Sequence, residues 1–367
     1  MILLTAHGDV PPRACARAVP RRGARYSGRV TAPLLACVGP AQHGVRMHAE
    51  NLAAHTPHAR VLSGPLERVR SELLGERCAV HLHFTDRIFG PTPAAAAEAV
   101  AGIARVRPVT VTLHDLPQPS NGHAFEARRA CYARVVEVAS AVVVSSSFER
   151  ELLRRHVPAS RVPDVFVAPL PVDPPERGPW EAARGRAAVG ERPTVAMLGF
   201  LYPGKGHDRV VEALAGVPLP VDVLALGRAS DGHEDLVGEL DRAARRAGHT
   251  FRATGFLDDA ALTRAAQQVT VPVVAPAHVS ASGSVGRWIS AGRRPLVTPH
   301  PFFEELAARA PWALTLTDDL PGALRRALED PAGTWIAPDE WRTTDLPSSA
   351  VAAAVQWEQI SGGGGRS

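Results

Sequence analysis

Residues 194–216 read TVAMLGFLYPGKGHDRVVEALAG: a short apolar run, a turn broken by glycines, then a segment of helical period. A strand, a tight turn and a helix make one βα unit. The same order recurs along the chain, and that recurrence is the signature of parallel sheets.

The turn holds Lys205 between Gly204 and Gly206, and it is the chain's single lysine beside forty arginines. A composition so rich in Ala, Arg and Pro and so poor in Lys points to a coding bias toward Arg. A lysine in such a chain either does what Arg cannot, reaching a phosphate as a compact point charge, or is an incidental surface residue of a helix-starting loop. Its setting suits the first reading. Gly199, Gly204 and Gly206 permit close backbone approach, and a helix N-terminus supplies N–H groups and positive dipole for a diphosphate. The order is not that of a Walker loop.

Outward from this unit, strands are predicted at TVAMLGF, VDVLALG, TFRATGF, TVPVVAP, RPLVTP and ALTLT, with helices at HDRVVEALAG, HEDLVGELDRAARRAG and SVGRWISAG. Earlier in the chain they are predicted at PLLACV, HARVLS, CAVHLHF, VTVTLHD and AVVVSSS, with helices at PTPAAAAEAVAGIARV and AFEARRACYARVVEVA. Between the halves, residues 169–194 are dense in Pro, Gly and charge and read as a linker. The expectation is an α/β protein of two doubly wound, Rossmann-like domains facing across a cleft, covering 1–175 and 190–340. Residues 341–367 would supply a helix crossing back to the first domain and a disordered GGGGRS tail. The first thirty residues fit the pattern poorly. In such sheets ligands sit at the carboxyl ends of the strands.

At 367 residues the chain exceeds what one core usually supports. A formal charge of +4 with scattered arginines argues against nucleic acid as a partner. The start lacks the cationic region of a signal peptide, and no run is long enough for a membrane span. Cys15, Cys37, Cys78 and Cys131 have no paired spacing, which fits reduced thiols and a cytoplasmic location.

A second anion site is offered by residues 278–295, HVSASGSVGRWISAGRRP. Ser280, Ser282 and Ser284 around Gly283 follow a strand and precede a helix, where serines either cap the helix or offer hydroxyls to phosphate oxygens.

With these motifs in place the chain resembles the GT-B glycosyltransferases, nearest the large retaining, nucleotide-sugar-dependent family. VTLHD, VVVSSSFERELL, VAPLPVD, LGFLYPGKGHDRVVEALAG and the SASGS…AGRRPLV run fall in that family's order and spacing across most of residues 30–310. The resemblance implies that Lys205 binds the donor diphosphate, that His114 faces the donor sugar and that Gly44, in the loop after the first strand, approaches the donor phosphates. Two departures stand out. Phe200 occupies the position of the family's usual Arg, and Val279 and Arg287 occupy those of two glutamates that contact sugar and ribose. Arg287 or Arg228 could replace the lost cation.

Other residues admit two readings each. His81 and His83 share a strand face and either begin a metal site or are satisfied polar groups, with no third ligand evident. Asp115 either orients His114 or caps its turn. Ser145–Ser147 end a strand at the cleft and read as caps. DLPQPSNG borders an acceptor pocket or is a surface turn.

The function this implies is transfer of a sugar from a nucleoside diphosphate sugar to a small-molecule acceptor of specialised metabolism, with retention, no metal and no further cofactor. A homo-oligomer is compatible with the sequence. The alternative is a non-catalytic nucleotide- or sugar-binding protein on the same scaffold; a metal-dependent hydrolase built on His81 and His83 stands behind both.

Overall fold

The computed structural model describes residues 34–76, 78–185, 192–342 and 344–362, so the Arg- and Pro-rich opening and the glycine tail lie outside the described residues. Short apolar runs become two parallel six-stranded sheets. The first contains β1 (Leu34–Val38), β2 (Arg60–Gly64), β3 (Val80–Phe84), β4 (Val109–Leu113), β5 (Ala141–Val144) and β6 (Asp164–Val167), in the order β2-β1-β3-β4-β5-β6. The second contains β7 (Thr194–Leu198), β8 (Asp222–Leu226), β9 (Thr250–Ala253), β10 (Val271–Val274), β11 (Leu296–Val297) and β12 (Thr315–Leu316), in the order β12-β11-β10-β7-β8-β9. Helices cover both faces, so β1, β3 and β5 are buried throughout; β1 and β5 are wholly apolar, and β3 is apolar except for His81 and His83 on one face.

Both orders contain a point where the winding reverses, between β1 and β3 in the first sheet and between β7 and β10 in the second. Crevices open there, because successive connections leave in opposite directions. Gly44 lies in the connection after β1, Lys205 follows β7, and Ser280–Ser284 follow β10. Leu116, just past β4, donates its N–H to Ser280 Oγ at 3.1 Å, so the carboxyl ends of the two sheets meet.

Two local features differ from the sequence reading. The supposed linker carries a helix, Arg177–Gly185, whose Trp180 is buried in the second core. Pro179 falls in the first turn of that helix, where a missing N–H costs no hydrogen bond, so its proline content did not preclude it. β6 was not foreseen either: it is an edge strand, and its half-exposed residues make no continuous buried run.

The C-terminal helix Ser349–Gly362 packs on the helix Gly44–Ala54, where Leu52 meets Ala352 and Ala353 and Asn51 Nδ2 donates to Ser349 Oγ at 2.7 Å. No helix among the described residues is long and apolar enough to cross a membrane.

A buried ion pair shapes the end of β4. Arg128, on the helix Phe125–Val138, places Nη2 2.9 Å from Asp86 Oδ1, and both side chains are only 8% exposed. The same guanidinium donates to Asp115 O at 2.7 Å and to Asn121 Oδ1 at 2.9 Å. One turn further, the Tyr132 hydroxyl donates to His114 O at 2.5 Å. Asp115, with φ of 51°, sits in the left-handed region that non-glycine residues rarely adopt. Three side-chain hydrogen bonds to the His114 and Asp115 carbonyls hold that conformation. Arg128→Leu leaves Asp86 buried and unpaired and is expected to cost about 3–5 kcal/mol in chemical denaturation, most of it recovered in Asp86→Leu/Arg128→Leu. A single-variant loss below about 1 kcal/mol would contradict this role.

Candidate functional site

The Lys205 loop and the Ser282 loop are joined at the backbone: Ala277 N donates to Gly204 O at 2.9 Å. Gly206 makes the junction possible. Its φ is 98°, and a Cβ there would meet Ala275 O at 1.9 Å, so any side chain would push the two loops apart. Gly199 and Gly204 also have positive φ, and Gly199 passes beside the Lys205 ammonium. Lys205 Nζ reaches Ser284 Oγ at 3.4 Å, and Ser282 Oγ lies 2.9 Å from Ser284 Oγ at the start of the helix Gly283–Ser290. No carboxylate pairs with Lys205 among the described residues, and burial lowers its pKa from 10.5 to about 8. The result is one ammonium, two hydroxyls and a helix N-terminus around a common point.

Other sequence candidates are engaged elsewhere. Ser280 is buried and donates to Glu149 Oε1 at 2.6 Å while accepting from Leu116 N. Arg287, one turn into its helix, pairs with Asp259. Val279 packs against the second core. Arg228 lies 4.9 Å over the Phe200 ring and pairs with Asp231 at 2.6 Å, so a guanidinium stands beside the position where the side chain itself is aromatic. Gly44 is the exposed first residue of its helix and has open space around it; His43 caps that helix by accepting from Val45 N.

His114 follows β4 directly and is 8% exposed. Its Nε2 lies 3.1 Å from His83 Nδ1 on β3. His48, on the helix after β1, stands edge-on to both rings, and these three residues each bring one ring nitrogen within 4.8 Å of the others, a grouping able to accept a metal ion. His81 bonds Thr110 and Thr112 instead. Burial pushes the pKa of His114, His81 and His48 down to about 3 and that of His83 well below its usual value, so all four rings are neutral at physiological pH. The Asp115 carboxylate accepts from Thr85 Oγ1 at 3.3 Å.

Four residues of this region escaped the sequence reading: His48, Gln356, Glu149 and Glu305. Only Glu149 had a local signal. Ser146-x-x-Glu149 has the spacing of a capping box, and Ser146 Oγ does accept from Glu149 N at 3.0 Å. The carboxylate itself goes further, accepting from Ser145 N, Ser145 Oγ and Ser280 Oγ, and burial raises its pKa. Glu305, from the helix Pro301–Arg309, accepts from Ser147 N and Phe148 N and so caps the same helix from the other half.

No protein-family model matches the sequence, and no curated protein sequence matches it. Solved structures do match. HepE of Anabaena in complex with UDP and glucose is similar over 90% of this chain and 100% of its own, with a TM-score of 0.72 at 16% identity. Sucrose-phosphate synthase of Thermosynechococcus elongatus is similar over 90% and 98%, with a TM-score of 0.68 at 16% identity. The α,α-trehalose 6-phosphate synthase of Burkholderia multivorans is similar over 87% and 77%, with a TM-score of 0.58 at 14% identity. Two parallel six-stranded sheets, their reversals and these likenesses agree: the chain has the GT-B fold.

Proposed function

We propose that the chain transfers a sugar from a nucleoside diphosphate sugar to an acceptor. The observation that carries this reading is Lys205: a partly buried ammonium without a carboxylate partner among the described residues, at the reversal of the second sheet, facing Ser282, Ser284 and a helix N-terminus. Such a group attracts a diphosphate. The structural neighbours support the same ligand class, since HepE is described with UDP and with UDP-glucose, and the pneumococcal O-GlcNAc transferase GtfA with UDP and GlcNAc.

As the bond between the anomeric carbon and the diphosphate oxygen breaks, negative charge grows on the β-phosphate. Lys205 and the start of the helix Gly283–Ser290 stabilise that charge more than the ground state, which is what lowers the barrier. Arg228, beside Phe200, is the second cation available to the phosphates once it leaves Asp231. His114, neutral and fixed by its neighbours, would meet the donor sugar at the floor of the crevice. Retention of configuration rests on the resemblance of the sequence motifs, and a small-molecule acceptor on composition.

A second reading, a binding protein without catalysis, is favoured by one observation: Arg287, at a position of a family glutamate, is tied to Asp259. Incubation with UDP-, GDP-, ADP- and TDP-sugars separates the two. Slow hydrolysis or transfer supports the enzyme, and tight binding of intact donor supports the binding protein.

Lys205→Ala is expected to weaken nucleoside diphosphate binding roughly ten- to hundredfold, as measured by calorimetry, with a larger fall in turnover. The pH dependence has a definite sign. The diphosphate favours the ammonium, so affinity should fall as pH rises through about 8, where the free protein's Lys205 loses its proton. In Lys205→Arg the charge persists and that fall should vanish, whether or not turnover survives. His114→Ala is expected to lower turnover far more than it weakens binding of the bare nucleotide; equal losses would make His114 structural.

A further inference from the structure

His114 is the end of a hydrogen-bonded chain that begins on the C-terminal helix. Gln356, 6% exposed, points its amide into the first sheet, with Nε2 3.0 Å from His81 Nε2 and 3.3 Å from His83 Nε2. An amide nitrogen carries two hydrogens and no lone pair able to accept, so it serves both rings as donor. Each neutral ring that accepts on Nε2 carries its own hydrogen on Nδ1. In His81, whose Nε2 also accepts from the Thr112 hydroxyl at 3.0 Å, that hydrogen goes to Thr110 Oγ1 at 2.9 Å. In His83 it goes to His114 Nε2 at 3.1 Å. His114 therefore accepts on Nε2 and holds its hydrogen on Nδ1.

We propose that Gln356 is a positioning residue, which through His83 fixes His114 as the Nδ1–H tautomer and so makes it a hydrogen-bond donor to a sugar hydroxyl in the crevice. The role toward the sugar rests on the function proposed above; the tautomer does not. The chain also bears on the three-histidine grouping. A metal ion on His83 Nδ1 would move that ring's hydrogen to Nε2, against the Gln356 amide hydrogens, and two donors would face each other. Gln356 thus holds His48, His83 and His114 in a state that favours the relay over a metal.

The measurement is the protonation pattern of the histidine ring nitrogens by ¹⁵N–¹H NMR on the full chain without ligand. The expected result is hydrogen on Nδ1 of both His83 and His114. In Gln356→Met, which keeps the volume and removes the donor, the second tautomer of both rings should appear. Turnover in sugar transfer should then fall roughly two- to tenfold, the scale of one neutral hydrogen bond, with affinity for the bare nucleotide unchanged. Hydrogen on Nε2 of His114 in the native protein overturns the proposal, as does an unchanged pattern in Gln356→Met. One equivalent of zinc in the purified protein would also overturn it. If Gln356→Met does not fold, the native pattern still decides. A native protein without transfer activity sinks the proposed function and leaves the tautomer result standing.

Discussion

The candidate site depends on the Arg128–Asp86 pair. Removing two charges from water is costly, and the pair is sustained because the guanidinium is saturated: it holds the carboxylate, the Asp115 carbonyl and the Asn121 side chain together. Those contacts dictate the path of the chain as it leaves β4. They hold Asp115 in a left-handed conformation and turn the His114 ring back toward β3. The crevice wall is thus built on an electrostatic constraint, with the apolar core supplying the low-dielectric surroundings in which a misplaced charge is expensive.

A second constraint joins the halves. Glu149 is fully buried and gathers Ser145 and Ser280, and Ser280 in turn receives Leu116 N, two residues from His114. Glu305 caps the helix that carries Glu149. The loop after β10 is thereby registered against the loop after β4, which sets Lys205 and His114 on the same crevice. Ser280 serves this registration with its hydroxyl, while Ser282 and Ser284 remain beside Lys205.

Much of this was legible in the chain. Buried parallel strands are apolar on both faces unless their polar groups find partners, so β1, β5 and the strands at the centre of the second sheet stand out as runs, and β3 departs only at His81 and His83. The edge strand β6 and the helix Arg177–Gly185 were hidden by the converse: half-exposed residues carry weak patterns, and a proline in a first helical turn resembles those of a linker. Lys205 was legible for a compositional reason, as a lone exception among arginines set between glycines.

What the sequence determined by itself was the α/β class, the two successive sets of βα units and the phosphate-suited turn around Lys205. These are local properties, readable from period, glycine placement and the chemistry of single side chains. Tertiary structure decided which groups meet. Nothing near Gln356 in the sequence relates it to His83, 273 positions away, or Glu149 to Ser280, 131 positions away. Those contacts exist because the winding of each sheet reverses and brings the carboxyl ends of distant strands to one crevice, and because the last helix returns to the first. Hydrogen-bond direction, protonation state and the sharing of a hydroxyl between two halves follow from that proximity, and proximity is a property of the fold.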